Sequence, residues 1–313
     1  MEKQLLLKKL EGKEAAVFFE KMYGKEGAKA NKERYLHVME GLEKAFGHKE
    51  MSLFSSAGRT EISGNHTDHN HGKVLAGSIN LDCVAAAAAN GTDEIHIISE
   101  TYNQKFTIQL SDLKPSERMA GTIDLTKGML AGFQEMGYEI GGFDAYITSN
   151  VISAAGVSSS ASYEMLICSM INTFFNGGSM DVVAYAHVGK YAENHYWNKA
   201  SGLLDQMACA VGGMITIDFK NPQEPVVEKI DYDFGAQDYS LIIVQTGKGH
   251  ADLSEEYSSI PQEMKKVAAV FGKEVLAEVS EEEVLADVKR VMKEAGDRPL
   301  LRALHFFEEN KRV

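Results

Sequence analysis

Apolar residues at the start of the chain recur every three or four positions, as in Leu5, Leu6 and Leu10 and again in Tyr35, Val38 and Leu42. This spacing predicts helices over 3–22 and 27–46. Past residue 50 the period shortens, and 52–56, 73–87, 94–98 and 105–110 read as strands punctuated by Gly, Asn and Asp. Helical spacing returns over 123–136, a strand follows at 142–148, and three helices are expected at 159–175, 182–197 and 203–211. Strands at 213–219 and 239–245 precede a polar turn and a helix over 253–271, and 281–293 and 299–311 are amphipathic and helical. Strands and helices come in groups rather than in strict alternation, which favours an α+β fold over a doubly wound parallel sheet.

Composition narrows the function classes. At 313 residues and 44% hydrophobic content the chain can bury a full core, and the length prior suggests roughly two domains. A net charge of −13 argues against nucleic acid, which demands a concentrated basic face. The first 24 residues are charged throughout and lack the apolar stretch of a signal peptide, and the apolar run Val84 to Ala89 is too short to span a bilayer. Cys83, Cys168 and Cys209 lie far apart in apolar surroundings, as reduced core thiols do. The expectation is a cytoplasmic protein with no membrane partner. Oligomeric state is not legible.

Three stretches carry candidate chemistry. The first, GRTEISGNHTDHNHG from Gly58 to Gly72, crowds His66, Asp68, His69 and His71 into one turn. Imidazole and carboxylate at such spacing are legitimate metal ligands, but no second Cys/His cluster completes a site. The second, NVISAAGVSSSASYE from Asn150 to Glu164, joins a predicted strand to a predicted helix. Ala154, Ala155 and Gly156 allow close backbone approach, and Ser158, Ser159 and Ser160 stand at the helix N-terminus, where free N–H groups and the dipole attract anions. It has no Walker lysine, and an ordinary serine N-cap is the competing explanation. The third, AENHYWNKASGLLDQ from Ala192 to Gln206, places Asp205 at a helix start and Glu193 on the preceding helix. Each carboxylate alone could be a dipole partner or a solvated side chain.

In this order the three stretches resemble the galactokinase family, within the GHMP group of small-molecule kinases with a Gly/Ser-rich phosphate loop. The sugar signature stands as Gly58-Arg59, Gly64-Asn65-His66-Thr67-Asp68-His69-Asn70, Gly72 and Val74-Leu75. The phosphate loop stands as Gly156 to Glu164, and the third motif as Ala192-Glu193 and Gly202-Leu203-Leu204-Asp205-Gln206. QTGKGHADLSEEY, with His250 and Tyr257, and RALHFFEENKRV, from Arg302 to Val313, resemble two later family segments.

The resemblance implies a two-domain small-molecule kinase fold. Residues 1–220 would bind sugar and nucleotide through a mixed sheet with helices, and 221–313 would form a partial α+β C-terminal domain. It also implies ATP-dependent phosphorylation of galactose or a related hexose at the anomeric hydroxyl. Asp205 would accept the hydroxyl proton, with Arg59 keeping it ionised and steadying the transferred group. Asn65, His66, Asp68, Gly202 and Tyr257 would contact the sugar. Ala154, Ala155, Gly156, Ser158, Ser159 and Ser160 would hold ATP, and Ser158 and Glu193 would hold Mg²⁺. A sugar explains the crowded turn, because several hydroxyls need several short converging polar groups.

The chain departs from the family at three places. Asn65 replaces a Glu, which opens the identity of the hexose. Ile152 and Ala154 replace a Pro and a Gly of the phosphate loop. Nothing resembling the family's further Gly-rich segment follows Leu301, so a truncated or shortened relative is expected. A catalytically silent sugar-binding or regulatory protein on the same fold is the alternative, and a metalloenzyme using the three histidines is a more distant one.

Overall fold

A computed structural model of the protein describes residues 1–153, 155–199, 201–244 and 254–313. The elements run α1 (Lys3–Glu11), α2 (Lys13–Phe46), β1 (Ser52–Ser63), a 3-10 turn (Asp68–Asn70), β2 (Lys73–Ala89), β3 (Glu94–Ser99), β4 (Gln104–Gln109), α3 (Gly121–Glu135) and β5 (Phe143–Ser149). There follow α4 (Ser159–Phe175), α5 (Val182–Tyr196), α6 (Leu204–Val211), β6 (Met214–Asp218), β7 (Val226–Ile230), α7 (Ser254–Val270), α8 (Glu281–Ala286), α9 (Val288–Glu294) and α10 (Asp297–Arg312). The fold is α+β with a mixed sheet, as the grouping of elements predicts. No helix among the described residues is long and apolar enough to cross a membrane.

Two compact units interleave along the sequence. The first takes 1–58, 79–153, 157–199 and Ser201, and the second takes 59–78, Ala155, Gly156, 202–244 and 254–313. Strands β1 and β2 contribute to both.

In the first unit the strand order is β4-β3-β5-β2, with β3 and β5 parallel and the other pairs antiparallel. The Val84–Ala88 stretch of β2 is buried throughout, and Val84, Ala86 and Ala88 pack with Val38, Met39 and Leu42 of α2. Small side chains suit a strand covered by a helix at close range. On α2, a β-carbon at Gly41 would lie 2.7 Å from the Tyr146 ring of β5. Helices α3, α4 and α5 pack on one another, and Cys83 and Cys168 are buried in this unit.

In the second unit β2 pairs through Lys73–Gly77 with β6, and β6 pairs with β7, both antiparallel. Its core brings Met264 and Val267 of α7 together with Leu276, Val284 and Val291 and with Ala303, Phe306 and Phe307 of α10. Cys209 is buried on α6.

Four elements differ from the pattern-based expectation, one of them the helix expected over 281–293, which divides at Asp287 into α8 and α9. The helix predicted over 3–22 is broken at Gly12, which is extended, and the following helix kinks at Gly24, where φ is 71°. Glycine adopts that conformation without a Cβ penalty. The strand expected at 239–245 does not form over 239–244, and Gln245 lies outside the described residues. The run Leu241–Val244 has strand composition, but no described strand pairs with it and its side chains are exposed. β-Propensity needs a ladder partner to become a strand. Conversely, β7 went unpredicted because none of its residues is fully buried and its apolar alternation is weak.

Candidate active site

Strand β1 delivers Arg59 and Glu61 to one face, since residues two apart on a strand point the same way. The chain then turns sharply: Gly64, His66 and His71 all have positive φ, at 94°, 62° and 61°. Such strain in two non-glycine residues persists only where the surroundings impose it. Thr67, fully buried, sets its hydroxyl 2.8 and 2.6 Å from the carbonyl oxygens of Gly64 and Lys73. Asn70 accepts from the Leu276 N–H at 3.4 Å and donates to the Pro261 carbonyl at 3.4 Å.

Helix α10 clamps the other side of the turn. Glu309 accepts from the N–H groups of Gly64 (2.7 Å) and Asn65 (3.4 Å) and from the Ser63 hydroxyl (3.1 Å). Burial opposes its ionisation, but these donors outweigh it and hold its carboxyl below the usual range. His305 Nε2 donates to the Asn65 carbonyl at 2.8 Å, and Asn310 accepts from the Lys73 N–H at 2.6 Å.

Several candidate residues converge here. Arg59 donates through Nε and Nη2 to Asp205 Oδ1, at 2.9 and 2.6 Å, and through Nη1 to the Gly156 carbonyl at 2.7 Å. Burial pulls the Arg59 pKa down, but the Asp205 carboxylate outweighs it and raises it above the ordinary value. Gly202 carries Asp68 directly against its Cα, so that a β-carbon there would collide with Oδ2. His66 stands edge-on to Tyr257 with ring centroids 5.0 Å apart, and burial lowers its pKa. His69 Nε2 is 3.9 Å from Asp68 Oδ1. Asn65 is exposed, and its side-chain amide lies 3.4 Å from Glu61 Oε2.

Of the phosphate-loop candidates, Ser158, Ser159 and Ser160 lie in the first unit, where Ser158 immediately precedes α4. Its φ of 57° and ψ of 56° are left-handed, its hydroxyl caps no N–H, and Oγ is buried without a hydrogen-bond partner. An ordinary N-cap is therefore not its role. Ser159 and Ser160 are the first two helical residues, whose N–H groups have no intrahelical acceptor. Ser160 donates to Glu193 Oε1 at 3.0 Å, Lys199 Nζ donates to the same oxygen at 2.6 Å, and the Ser201 hydroxyl bonds Oε2. Glu193 is fully buried. Ala154 and His250 lie outside the described residues.

Among the described residues no group of three or more His, Cys, Asp or Glu side chains is placed to hold a metal ion. Four groups had no part in the sequence expectation. Lys199 and Ser201 neutralise and hydrogen-bond Glu193, and nothing local in NKAS signals this. Glu309 was visible only as a residue of a family-like terminal helix. Glu61 is the fourth: its Oε1 is buried without a partner, and burial, reinforced by Asp68, pushes its pKa up to about 7.

Comparison with known proteins agrees with this arrangement. The galactokinase galactose-binding signature matches residues 40–89, and the GHMP kinases N terminal domain matches 124–213. A galactokinase of Clostridium tetani is 31% identical over 280 residues, covering 86% of this chain and 68% of the relative. One of Pyrococcus furiosus is 31% identical over 229 residues, covering 73% and 62%. The crystal structure of Lactococcus lactis galactokinase complexed with galactose superposes with a TM-score of 0.74 at 25% identity, covering 88% of this chain and 72% of that one. The chain thus spans about two thirds of the length of the curated relatives it matches, at 68% and 62% of these two. With a sugar signature, a kinase domain and this level of identity along most of its length, the chain belongs to the galactokinase family.

Proposed function

We propose that this chain is a sugar 1-kinase that transfers the terminal phosphoryl group of ATP to the anomeric hydroxyl of galactose or a related hexose. The observation that carries the reading is the triple engagement of Arg59. One guanidinium binds the candidate base, Asp205, and the backbone of the phosphate loop, at Gly156. Phosphoryl transfer leaves a protein mainly to position reactants and stabilise charge, and this link fixes the base and one end of the loop to a common cation.

Asp205 Oδ1 is taken up by Arg59, which orients the carboxylate and keeps it ionised to receive the hydroxyl proton. His66, Asp68, Gly202 and Tyr257, with Asn65 at the rim, contact the sugar. The N–H groups of Ala155 to Ser160 bind nucleotide phosphates. Mg²⁺ is expected with the nucleotide and would neutralise phosphate charge. The orphaned Ser158 hydroxyl suits it as a hard oxygen ligand. Glu193 suits it once Lys199 swings from Oε1 to a phosphate, since that ammonium now occupies the oxygen.

The test is an assay of the purified chain with Mg·ATP and a panel of hexoses. Galactose 1-phosphate is the expected product. Galactose binding by calorimetry with no transfer to any hexose would instead identify a silent sugar binder.

A further inference from the structure

Among the described residues, Glu61 is a carboxylate of the site whose hydrogen-bonding capacity is left unfilled. Its Oε2 receives only the long contact from the Asn65 amide, 3.4 Å, and its Oε1 is buried with no partner at all. A buried oxygen left in that state destabilises the free protein, the more so if ionised. Such an atom inside a ligand site marks a place where the ligand supplies the donor. The charged groups that face it are Asp68 from the 3-10 turn, Arg59 from its own strand and Asp205 from α6. These are the groups assigned above to the sugar and to the reacting hydroxyl.

We propose that Glu61 is a specificity-determining, sugar-contacting residue whose ionised Oε1 accepts a hydrogen bond from a hexose hydroxyl neighbouring the one held by Asp68. The proposal rests on the sugar-kinase reading and names one further contact of the same site. Sugar hydroxyls are donors, and an ionised carboxylate accepts from them more strongly than a neutral oxygen does, so a hexose hydroxyl completes the bonding of Oε1. The Asn65 amide, donating to the other oxygen, orients the carboxylate.

The environment of Glu61 gives the contact a signature of its own. Burial and the nearby Asp68 raise its pKa to about 7, with Asp205 adding to the effect and Arg59 opposing it. A free protein at pH 6 therefore holds Glu61 mostly protonated. If only the ionised form binds, the competent fraction rises about tenfold between pH 6 and pH 8, and galactose affinity rises with it. Burial holds the His66 pKa below the ordinary imidazole value, which displaces its own titration toward lower pH than that of Glu61.

The experiment is calorimetric titration of the intact chain with galactose and its single-deoxy analogues at pH 6, 7 and 8. Glu61→Gln and Glu61→Asp are measured beside the wild type, and melting curves establish that each is folded. Glu61→Gln is expected to bind galactose about 10- to 100-fold more weakly at pH 8, the effect of losing one hydrogen bond to a charged acceptor. It should also lose the pH dependence, and one deoxy sugar should bind it and the wild type alike. Glu61→Asp should keep the pH dependence. Wild-type affinity in Glu61→Gln, or an equal loss for every deoxy sugar with the pH dependence intact, overturns the assignment. A wild-type chain that binds no hexose overturns the sugar reading itself, which is a separate and distinguishable result.

Discussion

Replacing Asp205 by Asn separates the charge of the candidate base from its shape. The asparagine Oδ1 can still accept from Arg59 Nε and Nη2, which approach at 2.9 and 2.6 Å, so the guanidinium keeps its place and its bond to Gly156. What disappears is the negative charge and the ability to take a proton. The general-base contribution is typically 10²- to 10⁴-fold, or about 2.7–5.5 kcal/mol of barrier. A second effect falls on stability, because Arg59 has only 12% of its side chain exposed and would lose its paired charge. Breaking one partner of a largely buried pair destabilises by a few kcal/mol, here at the lower end, about 1–3, because the hydrogen bonds survive.

The assay is steady-state phosphorylation with galactose titration at saturating Mg·ATP, with melting curves alongside. The expected outcome is kcat reduced by 10²-fold or more, KM for galactose within about threefold of wild type, and a lowered melting temperature. Near-wild-type kcat would refute the role of Asp205. An unchanged melting temperature would show that the Arg59 pair contributes nothing net to the fold.

Three further outcomes follow from particular contacts. Ser158→Ala and Ser158→Gly should both weaken Mg·ATP binding, but the glycine variant should melt higher, because only it relieves the left-handed backbone at φ 57°; unaltered nucleotide affinity in both would exclude the hydroxyl as a ligand. Gly202→Ala should raise KM for galactose about 10- to 100-fold by displacing Asp68, measured by the same titration, and an unchanged KM would remove Asp68 from the sugar contacts. In the first unit, His96 bonds Asp144 at 2.6 Å and Glu94 at 3.0 Å, and His48 bonds Asp144 at 2.6 Å. Burial opposes both charges, yet the hydrogen bonds raise the His96 pKa and, with the Asn90 donor, lower that of Asp144. The His96 contribution is thus complete below its ordinary value of about 6.5 and lost as pH rises through its folded value, while that of Asp144 is complete above about 3.9 and lost as pH falls through its folded value. His96→Gln should therefore lower the melting temperature more below about pH 6.5 than at alkaline pH, and a pH-independent difference would argue against this linkage.

Legibility of the fold followed burial. Helix α4 begins and ends where its apolar period does, at Ser159 and Phe175, because its whole inner face is buried and its start is a loop of small residues. Edge and exposed segments were misread in both directions, β7 for want of buried positions and 241–244 for an excess of apolar ones. In the candidate site the motif residues could be named because three stretches in order resemble one family, each motif alone being open to an ordinary structural explanation. Arg59 and Asp205 share no local pattern, being 146 positions apart, and only the fold brings their side chains to 2.6 Å. The partners of Glu193 illustrate the limit differently. Lys199 is an unremarkable surface-type residue in sequence, and its ammonium becomes informative only once it lies 2.6 Å from a fully buried carboxylate.

The replacement of the family acid by Asn65 shows why a motif departure need not be a loss. Asp68 and Asp205 already place two carboxylates around the turn, and burial first, reinforced by these two charges, pushes the Glu61 pKa up to about 7. A fourth at position 65, with the side chains of 61 and 65 already 3.4 Å apart, would drive one of the two to stay protonated. The site therefore accommodates one ionised carboxylate across this pair, and in this chain it stands at 61. Position 65 can vary because helix α10 grips its backbone, not its side chain. Glu309 takes the Asn65 N–H and His305 gives to its carbonyl, while the exposed side-chain amide makes only the 3.4 Å contact with Glu61. The shape of the sugar turn is thus held by groups some 240 residues away, which leaves side chain 65 free to change its chemistry without altering the loop.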